Sequence, residues 1–223
     1  MGEAVAAGLV LDAVLATPAA LAAARRDGVP WLAELPRPPL EIDADLLARL
    51  TDSDSPRGWI AIAHLTGRSV ADLPATGATV FLDAVQDPGN VGAIARAAEA
   101  AAASALAFGI GCASPTHPRT LRGSAGSLLR LPWSERVAMP TLAERRPDAR
   151  WLALVPRGGR SLWEVDLAGP LIVVVGAEGP GTSDAALERA DLQVTIPMRG
   201  RVESLNAAVS AALVLFEIAR RGG

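Results

Sequence analysis

Leu171-Ile172-Val173-Val174-Val175-Gly176-Ala177-Glu178-Gly179-Pro180-Gly181 is the stretch whose reading decides the fold. Five apolar, mostly β-branched residues in a row predict a strand buried on both faces, the kind a parallel sheet uses. The glycines that follow permit turns and close backbone approaches that a side chain would block, so the turn can wrap a ligand. Downstream the spacing predicts a helix of about one and a half to two turns and a second short strand, Leu192 to Ile196. The segment Pro197-Met198-Arg199-Gly200-Arg201-Val202-Glu203-Ser204-Leu205-Asn206 then leads into an alanine-rich helix ending near Arg220 and Arg221. Ser204 is suited to cap that helix, and the arginines suit its negative end.

Working back towards the start, strands and helices alternate. Thr79 to Val85 and Ser104 to Phe108 read as strands around a helix from about Val91 to Ala102, and Arg150 to Val155 as a further strand. Ser114-Pro115 reads as the cap of another helical stretch, and Pro156 to Trp163 as a loop. This alternation implies an α/β domain with a parallel sheet covered on both faces, over residues 77–223. Residues 1–70 read as a smaller α/β unit. It has a strand Leu9 to Ala16, a helix capped at Thr17-Pro18 and ending at Asp27-Gly28, and a strand Val29 to Leu35. A short helix Asp43 to Leu50 and a strand Gly58 to His64 complete it. Gly67 to Gly77 reads as a short linker.

Composition narrows the function classes. With 223 residues and 50% hydrophobic content the chain is long enough for a packed core, and disorder is excluded. The alanine-rich opening lacks a basic start and is interrupted by Glu3 and Asp12, so it reads as domain rather than secretion signal. No apolar run approaches the length of a membrane span, and the single cysteine, Cys112, offers neither a disulfide nor a metal cluster. His64 and His117 lack ligand-like spacing and read as structural, so no metal is expected, and a reducing cytoplasm is the simplest location. All 21 basic residues are arginine, and the net charge of −3 does not advertise a nucleic-acid binder. That average hides a split: residues 1–76 hold 6 Arg against 10 Asp and Glu, whereas residues 77–223 hold 15 against 14.

Three segments together carry a specific resemblance. Gly176-x-Glu178-Gly179-x-Gly181, then Ile196-Pro197-Met198 with Ser204-Leu205-Asn206, resemble motifs 2 and 3 of the SpoU (TrmH-like) RNA 2′-O-ribose methyltransferases of the SPOUT superfamily. Asp87-Pro88-Gly89-Asn90-Val91-Gly92-Ala93-Ile94-Ala95-Arg96 resembles motif 1. The spacing does not fit the dinucleotide fingerprint G-x-G-x-x-G, whose glycines follow an early strand.

The resemblance implies a C-terminal deep trefoil knot, against the general rule that chains are unknotted. It also implies that the first domain is similar to ribosomal protein L30e; the sequence begins just after the family's leading basic segment and first strand, so either the domain is shortened or its true start lies upstream. It implies S-adenosylmethionine as cofactor, held at Gly176, Ile196 and Leu205, although Ile196 and Leu205 are equally core positions. A β-branched residue at 176 is then expected to intrude on the ligand and leave the fold intact. Asn90, Arg96, Glu178, Ser204 and Asn206 match the family's polar active-site positions. Ser204 and Asn206 are equally helix caps and Glu178 is equally a loop brace, whereas a surface ion pair for Arg96 is disfavoured by a helix so poor in other charges. Arg119, Arg122, Arg199 and Arg201, beside the motifs, are the candidates for RNA contact; the other arginines read as solvated surface. The implied function is methylation of a ribose 2′-hydroxyl in 23S rRNA by a homodimer. A tRNA substrate, a role in antibiotic resistance and a non-catalytic RNA-binding module are the other readings.

Overall fold

The chain divides between Thr66 and Gly67, and the computed structural model describes residues 1–51 and 56–222. In the first unit a short helix α1 (Gly2–Ala6) precedes β1 (Leu11–Ala16) and α2 (Pro18–Arg26). Then come β2 (Leu40–Glu41), α3 (Ala44–Leu50) and β3 (Trp59–Ala63), giving a three-stranded sheet ordered β2-β1-β3. Strand β1 runs parallel to β2 and antiparallel to β3. The caps follow the sequence signals: Thr17 accepts from the Ala20 N–H and Asp43 from the Leu46 N–H. Val29 to Leu35 is not a strand. Pro30 opens a 3-10 turn, Pro30–Leu32, because proline fixes φ and has no N–H to give to a ladder.

The second unit contains β4 (Ala78–Asp83), α4 (Pro88–Ala100), β5 (Ala105–Gly109), α5 (Pro118–Ser124), α6 (Ser127–Arg130), β6 (Trp133–Val137) and α7 (Met139–Arg145). It continues with β7 (Arg150–Leu154), β8 (Arg160–Ser161), β9 (Leu171–Gly176), α8 (Asp184–Arg189), β10 (Leu192–Thr195) and α9 (Ala207–Arg220). Seven strands form one parallel sheet in the order β6-β5-β4-β9-β7-β10-β8. The expected parallel α/β sheet is therefore present, with β9 near its centre and buried from Leu171 to Val175. Phe81, Trp151, Ile172 and Val174 anchor one core cluster.

Four local differences from the sequence reading have clear causes. Helix α4 starts at Pro88 rather than Val91, because Asp87 accepts from the Asn90 N–H at 2.8 Å and proline occupies the first helical position. Helix α5 is capped by His117, whose Nδ1 accepts from the Arg119 N–H, while the Ser114 hydroxyl bonds Thr116 in the preceding turn. The loop Pro156 to Trp163 contains β8, and β6 with α7 is an unforeseen strand and helix. The linker is not free: Arg68 N–H donates to the Trp133 carbonyl, and Arg146 donates to the carbonyls of Pro74 and Gly77 and to Thr79 Oγ1. Arg146 is buried rather than solvated. Burial, then the charge of Arg145, pulls its guanidinium below the ordinary value.

Helices α4 and α5 cross where two glycines meet. A Cβ on Gly92 would lie 2.5 Å from the Thr120 carbonyl oxygen and 2.9 Å from Gly123 Cα. Gly92, read as part of motif 1, is therefore required by packing. At the other end of α4, Ala102 has φ of 57° and completes a closing pattern in which Ala102 N–H bonds Glu99 O and Ala103 N–H bonds Ala98 O.

Candidate active site

A cavity of about 320 Å³ opens at the C-terminal ends of β9, β7 and β10. Gly176, Glu178, Ile196, Ser204, Leu205 and Asn206 are among its lining residues, so motifs 2 and 3 meet on one wall. Parallel sheets place ligands at this edge because strand ends and the following loops converge there. The loop after β9 is pinned by reciprocal bonds, Ala177 N–H to Gly181 O and Gly181 N–H to Ala177 O, and Gly179 and Gly181 take φ of 85° and 78°. Two contacts that sequence reading missed hold the loop further: Thr182 Oγ1 donates to the Leu154 carbonyl, and Asp83 accepts from the Ser183 N–H at 2.7 Å. The available signal was Ser183 ahead of Asp184, a helix-start pattern.

Gly176 corrects one expectation. A Cβ there would lie 2.2 Å from Thr182 N and 2.3 Å from the carbonyl carbon of Gly181. Any side chain at 176 displaces the returning loop, so a β-branched residue would not leave the local fold intact.

Asn206 joins the three motifs. Its Oδ1 accepts from the N–H groups of Ala208 and Val209 and so caps α9. Those two donors fix the amide orientation, leaving Nδ2 to donate to Asn90 Oδ1 at 2.9 Å and Glu178 Oε1 at 2.7 Å. Asn206 is thus both a cap and a bridge. Ser204, expected as a cap, is exposed and lines the cavity two residues ahead of the true one. Glu178 reaches Asn90 only through Asn206.

Arg96 stands apart. Six residues beyond Asn90 places it about 120° around α4, on an exposed face, and it does not line the cavity. Among the described residues it has no hydrogen-bond or ion-pair partner. Arg119 and Arg122 are exposed on α5, and Arg199 and Arg201 are exposed on the segment between β10 and α9. By contrast Arg130 is engaged by Glu99, whose carboxyl its hydrogen bond holds below the usual range. The Cys112 thiol, raised by burial, donates to the Leu82 carbonyl. His64 lies 3.3 Å from Asp12 in the first unit. Among the described residues no group of His, Cys, Asp and Glu is arranged to hold a metal, and no helix is long and apolar enough to cross a membrane.

At the other end of α9, Glu217 is buried between Arg220 and Arg221, and Arg221 also donates to the carbonyls of Leu162, Trp163 and Val165. Hydrogen bonds from Arg220, then Arg221, pull the Glu217 carboxyl down to about 2.

The chain is similar to known proteins. An uncharacterized tRNA/rRNA methyltransferase of Synechocystis sp. is 35% identical over 182 residues, covering 81% of this chain and 66% of that protein. The 23S rRNA (guanosine(2553)-2′-O)-methyltransferase RlmP of Bacillus subtilis is 30% identical over 178 residues, covering 79% of this chain and 71% of that one. The crystal structure of the SpoU methyltransferase AviRb from Streptomyces viridochromogenes with its cofactor AdoMet is 26% identical, with a TM-score of 0.84. It covers 99% of this chain and 86% of that one. Residues 77–216, which hold the cavity and all three motifs, match the family model, and the chain belongs to the SpoU rRNA Methylase family.

Proposed function

We propose that the chain is an S-adenosylmethionine-dependent methyltransferase acting on a ribose 2′-hydroxyl of 23S rRNA. The observation that carries this reading is the cavity at Gly176, Ile196 and Leu205, with Asn206 tying Asn90 and Glu178 together at its wall. Its size, at the small end for ligand sites, and its mix of aliphatic walls and loop backbone fit a nucleoside-like ligand. AviRb, a family member of known structure, was determined with this cofactor, and RlmP is named for ribose methylation of 23S rRNA. The first unit favours rRNA over tRNA, since family members that carry an L30e-like domain tend towards 23S rRNA. The resemblance further implies a deep trefoil knot in which the C-terminal segment threads through a loop, and the single cysteine suits a reducing cytoplasm.

When bound, the cofactor supplies an electrophilic methyl group. Ile196 and Leu205 would enclose it, and the turn from Gly176 would approach it by backbone. The Asn90–Asn206–Glu178 bridge holds motif 1 against motifs 2 and 3 and keeps the cavity wall in register. Arg96 binds the target phosphate through two parallel N–H donors and orients the hydroxyl; its guanidinium does not lose a proton, so the hydroxyl proton passes to phosphate oxygen or water. Because Arg96 lies outside its own cavity, we assign it to the site of a partner subunit in a homodimer. Val209, Leu213 and Phe216 form an exposed apolar stripe on α9 at helical spacing, which suits such a contact. Calorimetric titration with S-adenosylmethionine in the absence of RNA is expected to show one site per chain, and light scattering a dimer. No heat of binding in a folded protein would remove the cofactor assignment.

A further inference from the structure

A second cavity, of about 290 Å³, opens along the same edge of the sheet over β5 and β6. Its origin is a β-bulge. Ala107 pairs with Ser134 and Gly109 with Val137, so the two residues Glu135 and Arg136 stand opposite the single residue Phe108. Consecutive residues of a regular strand point to opposite faces. Here the bulge, with Arg136 at φ of 56°, brings both consecutive residues to the lining of one cavity. Bulges re-aim side chains in this way beside active sites. Both are exposed, and among the described residues neither has a hydrogen-bond or ion-pair partner. Ile110, 68% exposed, adds an apolar surface to the rim.

We propose that this cavity holds a guanine base of the RNA substrate, an inference that rests on the RNA methyltransferase reading above. The guanidinium of Arg136 can engage two adjacent acceptors and the carboxylate of Glu135 two adjacent donors. Guanine alone among the four RNA bases offers both pairs, O6 with N7 and N1–H with the 2-amino group. Ile110 gives the ring an apolar face. Only β4 separates β5 from β9, so the nearest walls of the two cavities lie about 10 Å apart at the usual strand spacing. That separation suits the target ribose at the first cavity and the base of a nearby nucleotide at the second, splayed out of the stack as single-stranded RNA is recognised.

The test is amide chemical-shift mapping on the full chain, titrated separately with GMP, IMP, AMP, CMP, UMP and S-adenosylmethionine. GMP is expected to shift the amides of Gly109 to Ser114 and of Glu135 and Arg136, with affinity roughly tenfold or more above AMP, CMP and UMP. IMP, which lacks the 2-amino group, is expected to bind more weakly than GMP in the wild type and about equally in Glu135→Gln. Arg136→Ala is expected to lower GMP affinity by roughly tenfold and leave S-adenosylmethionine affinity unchanged. Equal response to all four bases, GMP shifts confined to Gly176–Gly181, or an Arg136→Ala variant with normal GMP affinity would overturn the site. S-adenosylmethionine reports separately at Gly176–Gly181, so its failure to bind would count against the functional reading and leave the base site to be judged on GMP alone.

Discussion

Asn206 performs two jobs that substitution can separate. Asn206→Ala removes the oxygen that accepts from Ala208 and Val209 and the amide that bridges Asn90 and Glu178. Losing an N-cap costs about 1 kcal/mol, and the two bridging bonds, being exposed, add of the order of 0.5 kcal/mol each. Asn206→Ala should therefore lose about 2 kcal/mol in urea denaturation. Asn206→Asp keeps a cap oxygen, since aspartate is as good a cap as asparagine. It replaces the donor with a carboxylate facing Glu178, at a repulsion of about 1 kcal/mol in water-like surroundings that added salt should relieve. Both variants should weaken S-adenosylmethionine binding, because both cut the tie between the motifs, while only Asn206→Ala should fray the start of α9 by hydrogen exchange. If Asn206→Asp binds cofactor normally at low salt, the bridge does not shape the site and the argument fails.

Arg96→Ala and Arg96→Lys should each retain cofactor affinity yet lose about a hundredfold or more in single-turnover methyl transfer, because lysine keeps the charge without the planar two-point fork; substantial rescue by lysine would mean simple charge neutralisation. Ala102→Gly should raise stability by about 0.5–1 kcal/mol in denaturant titration, since relief of the left-handed strain at φ of 57° outweighs the added chain entropy. The Glu217 carboxyl is held at about 2, below its ordinary 4.5, so its contribution to stability is complete above about 4.5 and is lost as pH falls towards 2. The gap in melting temperature between wild type and Glu217→Gln should accordingly be constant near neutrality and close between pH 5 and 2.

Much of this site was legible in the chain because its signals are local. The β-branched run before Gly176 named the central strand, and the second and third motif segments named residues that line the cavity. Contacts between distant segments were not legible. Nothing near Asn206 says that its amide reaches Asn90, 116 residues away. Gly176 read as a ligand contact and Gly92 only as part of motif 1, whereas both are first required by neighbouring backbone. Strand β6 escaped notice because the Ser134-Glu135-Arg136 run is polar, and the bulge that accommodates it exists only once β6 pairs with β5. Arg146 read as one of a solvated cluster, yet it is buried against the carbonyls of Pro74 and Gly77, a fate that sequence neighbours cannot reveal.

The central claim is most directly tested by incubating the protein with methyl-labelled S-adenosylmethionine and total rRNA from cells that lack it, then mapping labelled nucleotides by mass spectrometry of nuclease fragments. The account predicts label on the ribose 2′-oxygen at a defined position in 23S rRNA, absent when Arg96→Ala replaces the wild type. Label on a base, or none on RNA from a protein that binds the cofactor, would contradict it.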